Sequence, residues 1–441
     1  MKVNRLPQAE FIFKNKSEII NEKLLQFIWQ YQYFNRGELK TIDGSTLEII
    51  SPGILNTNQG PDFLDARIRI ENTVLAGTIE LHCQTSEWEL HGHDADKNYN
   101  NVILHVVFIN DCDPGGLHLP LLELEPRISN LLIEKYAFLM HDQQRIHCTQ
   151  SIREVNELVW VKWKETLVAE RLERKSNAFQ HHLNSTKYNW SEVLWRLLAR
   201  NFGIRVNSDA FEAIAISLPL NILARHKLQI HQLEALLLGQ ANLLNRAFKE
   251  SYPIMLAREY AFLKKKYALV PISHPVHFLR MRPGNFPSIR LAQLAMLLHE
   301  RSDLLEIILN AKETSVLKSV FSVQPNDYWL YHYVPGEASS YKKKNLGKDT
   351  IENIIINTVV PFLYAYGNYH RQEAYVSRAF SLFLELEPEQ NTITRMFTKA
   401  GVNNDNAFHS QALNELMTQY CDQKKCLECA IGYQLIKKGV T

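Results

Sequence analysis

Residues 77–84 read Gly-Thr-Ile-Glu-Leu-His-Cys-Gln. Ile79, Leu81 and Cys83 alternate with Thr78, Glu80, His82 and Gln84. A strand repeats every two residues, so the pattern predicts one apolar face and one face carrying a carboxylate, an imidazole and an amide in a row. Gly60-Pro61-Asp62 and then Asp65 precede it. Two carboxylates from neighbouring strands, with a polar group two residues after the second, can hold a divalent cation for phosphodiester hydrolysis. Asp62, Asp65 and Glu80 are therefore candidate ligands for Mg²⁺ or Mn²⁺, and Asp62, Glu80, His82 and Gln84 the candidate catalytic group. A histidine with an unperturbed pKa of ~6.5 can take a proton from water at neutral pH or bind the metal itself. Gln84 would orient water or phosphate. The competing reading is a polar strand face that only meets solvent.

Two further clusters could do chemistry. His91-Gly92-His93-Asp94-Ala95-Asp96 follows the strand, with His105 beyond it. Alternating His and Asp suit Zn²⁺ or Mn²⁺, which would make a hydrolase of small phosphoesters, or they form a polar loop over the first site. Six cysteines are present, and Cys421, Cys426 and Cys429 fall within nine residues. Thiolates at that spacing suit Zn²⁺ or an iron–sulfur cluster with a structural role. Cys148 is the expected fourth ligand, with His147 and Cys112 as alternatives. A cytoplasmic chain with no signal-peptide core at Met1-Lys2-Val3-Asn4-Arg5 argues against disulfides. No apolar run reaches the ~20 residues of a membrane span, so no membrane partner is expected.

The elements that must position these groups follow from periodicity. A helix is predicted over 17–33, capped by Ser17, with strands at 46–50, 65–70, 77–84 and 102–108. An edge strand over 117–124 and a helix over 127–141 complete an N-terminal domain, 1–148. Beyond it strand signals vanish and an all-helical domain, 149–441, is expected. Its helices fall at 154–182, 190–202, 208–217, 229–239, 250–267, 288–299, 302–311, 350–366, 371–385, 391–400 and 406–420. The fold class is α+β: a mixed-sheet domain followed by a larger all-α one.

The net charge is +2, but residues 1–150 hold 13 basic and 20 acidic residues. The remainder is correspondingly basic. The acidic part can supply metal ligands and the basic part can attract a polyanion. Arg280, Arg282 and Arg290 flank Pro283 and Pro287, before a helix that Ser288 is expected to cap. That is either a phosphate site at a helix start or a rigid turn braced by arginine.

The helix–strand–strand–strand–helix–strand order, with Pro61-Asp62 before the second strand and Glu80-x-His82 on the third, resembles the PD-(D/E)XK nuclease superfamily over roughly the first third of the chain. The resemblance implies that Asp62 and Glu80 bind Mg²⁺ and that His82 stands where that superfamily usually has lysine. It also implies that Glu18 or Glu22 of the first helix completes the site, and that DNA is the substrate and partner. A catalytically inactive nucleic-acid-binding scaffold is the alternative. Over nearly its full length the chain also resembles an uncharacterised bacterial family with no assigned activity. That resemblance is carried by Gly60-Pro61-Asp62-Phe63, the 280–287 segment, Asn357-Thr358-Val359-Val360-Pro361-Phe362 and the cysteine tail.

Overall fold

Asn21 starts the first helix, α1 (Glu22–Gln30). Its side chain accepts the Leu24 N–H at 2.9 Å, and Leu24, Leu25, Phe27, Ile28 and Trp29 form the buried face. The computed structural model describes residues 19–113, 119–301 and 303–438. Ser17, expected as the cap, Glu18, and residues 117 and 118 of the expected edge strand lie outside that range. Six strands follow: β1 (Leu47–Ser51), β2 (Ile54–Leu55), β3 (Phe63–Ile70), β4 (Thr73–Gln84), β5 (Val102–Ile109) and β6 (Leu121–Glu123). They form one mixed sheet in the order β1-β3-β4-β5-β6, with β2 paired to β3. The pairs up to β4 are antiparallel, and those of β4 with β5 and β5 with β6 are parallel. A parallel neighbour needs a crossover. Here it consists of α2 (Glu87–Leu90) and two 3₁₀ turns, His93–Ala95 and Lys97–Tyr99.

The two faces of the sheet differ as the alternation predicts. Ile79, Leu81, Leu104, Val106, Phe108, Leu122 and Leu124 pack against α1 and α3 (Asn130–His141) in one apolar core. Each such side chain, fully buried, contributes about 1.5–3 kcal/mol. Glu80, His82 and His105 lie on the other face, and all three are buried. Two irregularities set the register there. Phe63 pairs with Ile79 but Ala66 with Gly77, so β3 carries one extra residue. Asp65 sits in that bulge with φ 57, a conformation Asp tolerates better than most residues. Gly77 is required because a Cβ there would collide with the Asn101 carbonyl oxygen and the Ile103 side chain. β5 can therefore approach β4 closely enough to place His105 opposite Glu80.

The chain divides into two compact units, Met1–Trp163 with Lys399–Val402 and Leu416–Thr441, and Lys164–Thr398 with Asn403–Glu415. The first unit contains the sheet. The boundary expected at 148/149 falls at 163/164, and the cysteine tail, expected with the helical domain, groups with the sheet instead. Trp29 and Phe34 stack in this unit, and Tyr33 and Tyr433 share a 2.6 Å hydrogen bond that anchors the C-terminal helix Ala430–Lys437.

The second unit is mainly helical, with one departure. Residues His332–Val334 and Glu337–Ala338 pair as a short hairpin, too brief to register as a strand period. The helix expected over 350–366 is Lys348–Ile354, a π-helical turn Ile355–Val359 and Val360–His370. Half-buried Lys175 donates to Asn357 of that turn at 2.6 Å. Buried Glu234 accepts from Tyr252, Asn326 and Trp329. Ser288 does not cap its helix; its hydroxyl donates to the Tyr333 carbonyl, and Pro287 starts the helix. Arg290 is buried and binds Asn285, Gln293 and Thr350, which makes the 280–290 segment a braced turn. Among the described residues no helix is long and apolar enough to cross a membrane.

Candidate metal centre

Glu80 and His82 leave β4 on the same face, two residues apart, and the crossover folds His91 and His93 back over them. Nε2 of His82 lies 3.2 Å from Nδ1 of His91, 3.2 Å from Nε2 of His93 and 3.6 Å from Oε1 of Glu80. Nε2 of His93 is 3.5 Å from the same oxygen. A ring nitrogen carries either one lone pair or one hydrogen. It cannot satisfy three polar neighbours through hydrogen bonds. Four ligands each about 2.05 Å from a tetrahedral ion stand about 3.3 Å apart. The spacing of these donors matches the edges of such a shell, and the three imidazole nitrogens all lie within 4.8 Å of one another.

The surroundings hold the rings in place. Nδ1 of His82 meets Nε2 of His105 at 2.9 Å, the outer-sphere contact that fixes the tautomer and orientation of a ligating histidine. Tyr99 stacks on His93 with ring centroids 3.9 Å apart. The Trp88 ring packs against His93 and His105. Its indole N–H donates to Asp94 at 2.9 Å. Asp94 is thus engaged with Trp88 and not with His91 and His93, the partners expected for a separate small-phosphoester site.

On its other side Glu80 faces Asp62. Oε2 of Glu80 accepts the Asp62 backbone N–H at 3.0 Å. The Asp62 carboxylate accepts from the Gln26 amide of α1 at 2.8 Å and from the Leu81 N–H at 3.0 Å. Burial, then the Asp62 charge, pushes Glu80 up to about 8. Burial pushes Asp62 up to about 6, and the Glu22 charge on α1 adds to both. Burial, then the nearby His105, His93 and His91, pushes His82 down to about 3. His93 is lowered by burial and by His91, and burial pushes His105 down to about 4. Carboxyls resisting ionisation and imidazoles resisting protonation leave the cluster short of positive charge, which a divalent cation would supply.

Asp62, Glu80 and His82 are therefore brought together. Asp65 and Gln84 are not part of that contact set. Asp65 is exposed at the bulge. Gln84 is exposed at the end of β4, where its backbone N–H donates to Glu87. It lines an open groove of about 650 Å³ with Glu22, Lys23 and Glu87. Arg69 pairs with Glu48 on β1, not with the candidate carboxylates. His91 and His93 join the Glu80 site instead of forming one of their own. The sequence signal was a His-x-His pair soon after a strand whose polar face already carried His82. Cys148, Cys421, Cys426 and Cys429 meet elsewhere in the same unit, around one small cavity.

Fold and site together define an α+β protein with a carboxylate–imidazole cluster on the buried polar face of a mixed sheet. The chain belongs to the family described as protein of unknown function DUF2851, which it matches over residues 22–392. The three C-terminal cysteines lie beyond the matched stretch. No curated protein and no solved structure is detectably similar to the chain.

Proposed function

We propose that the protein is a metal-dependent hydrolase of phosphodiester bonds, a nuclease-like enzyme of the PD-(D/E)XK type whose substrate is DNA. One observation carries the reading: the Glu80 carboxylate stands between Asp62 on one side and the nitrogens of His82 and His93 on the other. Glu80, His82, His91 and His93 would hold the ion. Three imidazoles and one carboxylate suit a borderline ion such as Mn²⁺ or Zn²⁺ better than Mg²⁺, which prefers oxygen ligands. A bound ion supplies Lewis acidity, lowering the pKa of water and offsetting phosphate charge. In this arrangement His82 is a ligand and not the base. Asp62, at about 6, is mostly ionised at neutral pH and suited to accept the proton of the attacking water. Gln26 and the Leu81 N–H hold its carboxylate in place. Glu22, Lys23 and Gln84 line a groove at the C-terminal ends of β4 and β5, and none of the four donors lines it.

Plasmid and single-stranded DNA cleavage, assayed with Mn²⁺, Zn²⁺ and Mg²⁺ separately, tests the proposal. Wild-type cleavage that disappears in both Glu80→Ala and Asp62→Asn supports it. Metal binding without cleavage of any nucleic acid would leave the inactive scaffold as the better description.

A further inference from the structure

The fold gathers four of the six cysteines from three separate stretches of chain. Cys148 follows α3, Cys421 ends a π-helical turn (Leu416–Cys421), and Cys426 and Cys429 precede the C-terminal helix. All four line one cavity of about 20 Å³, above the ~10–15 Å³ that a single water-sized sphere needs. None is in a disulfide. The other two cysteines are apart: Cys112 is exposed and Cys83 lies beside the groove.

We propose that Cys148, Cys421, Cys426 and Cys429 form a tetrathiolate site for a thiophilic metal centre, a zinc ion or an iron–sulfur cluster, that clasps the C-terminal segment to the sheet unit. Two local features suit the site to thiolates. Cys429 sits at the N-cap of the C-terminal helix, where the dipole favours negative charge. Gly432 lets the chain pass close to Cys426, because a Cβ there would collide with the Cys426 carbonyl oxygen. Cys148 takes the fourth position. His147 also borders the cavity, but its Nδ1 and Nε2 face the carbonyls of Asp142 and Cys421 at 3.0 and 3.2 Å, so its ring braces the Cys421 backbone. Arg145 completes the frame, with two 2.7 Å bonds to Asp422.

The clasp closes a long loop. Cys148 and Cys421 are far apart in sequence, and a metal that binds only the folded arrangement adds its binding free energy to folding. The segment it ties down carries Ile436 and Tyr433, which pack against the same core that supports β4.

The full chain is purified anaerobically and assayed for zinc, iron and acid-labile sulfide as wild type, as the Cys421→Ser/Cys426→Ser double variant, as Cys112→Ser and as His82→Ala/His93→Ala. The expected result is stoichiometric zinc, or iron and sulfide in equal amounts with visible charge-transfer absorption. Either is lost in the cysteine double variant and retained in the other two. Retention in the histidine variant separates this site from the imidazole centre, so either proposal can fail alone. Should the cysteine variant not fold, titration of the wild type with a thiol-specific mercurial replaces it. Metal should then be released in proportion to thiol modified, with faster amide exchange over 416–438. Wild type that binds neither zinc nor iron stoichiometrically, even after reconstitution, overturns the proposal, as does a double variant with unchanged metal content.

Discussion

Replacing Glu80 by glutamine should make the metal-free protein more stable while removing its response to metal. The substitution keeps the shape and an oxygen able to accept the Asp62 N–H, but removes a charge that burial and Asp62 oppose. Burial and the Asp62 charge hold Glu80 up to about 8 in the fold, against 4.5 for a free glutamate. A carboxyl raised in this way favours folding while it is protonated. Its contribution is intact below about 4.5 and is lost as pH rises from there to about 8. Taken alone, the cost at pH 7 is on the order of 3 kcal/mol, since each pKa unit is worth 1.36 kcal/mol. Sharing the proton with Asp62 reduces it, so a gain of about 1–3 kcal/mol is expected for Glu80→Gln in chelator at pH 7–8. At pH 4.5 the two proteins should be nearly equal. Added Mn²⁺, which thiolates do not favour, should raise the Tm of wild type and leave the variant's almost unmoved. Urea and thermal unfolding across pH 4.5–8.5, with chelator and with Mn²⁺, provide the measurement. A variant less stable than wild type in chelator at pH 8, or one still stabilised by metal as wild type is, would refute the reasoning.

Other outcomes follow from the same geometry. His105→Phe leaves the ligands in place but removes the outer contact to Nδ1 of His82, so metal affinity by calorimetry should fall about 10–100-fold. Asp65→Asn and Gln84→Ala, both exposed and outside the donor cluster, should leave that affinity unchanged within twofold. In the helical unit, burial holds Glu234 up near 7 against its three hydrogen-bond donors. The stability it contributes therefore declines between about 4.5 and 7 as pH rises, and Glu234→Gln should flatten that part of the urea-unfolding pH profile. Gly432→Ala should destabilise the C-terminal segment by about 1–3 kcal/mol of overpacking, read as faster amide exchange there with β4 protection retained.

The strand and helix periods made the sheet unit legible. β4 and β5 lie where alternation and an unbroken apolar run placed them, and α1 buries the face its spacing marked. The β3 bulge broke the period at Asp65, and this separated Asp62, which reaches Glu80, from Asp65, which does not. His91 and His93 were visible as metal-binding types, but their meeting with His82 depends on how a short crossover folds back, and no local pattern encodes that. His105 lies on an apolar strand, and the parallel register that sets it against Glu80 is a long-range fact. Cys148 lines the same cavity as Cys421, Cys426 and Cys429, a meeting across most of the chain that no local spacing encodes. The π-helical turns at Ile355–Val359 and Leu416–Cys421 had no signature, since one inserted residue barely shifts a helical period.

The sheet unit takes its chain from both ends of the sequence, with about 250 residues of helical unit made in between. At ribosomal speeds of about 5–20 residues per second, the sheet waits roughly 10–50 seconds for Tyr433 and Ile436 to emerge. Until then the hydrophobic seat for the last helix is bare to water. A chain stopped before Tyr433 should therefore be a chaperone client, and emergence of that last helix becomes the checkpoint that seals the unit.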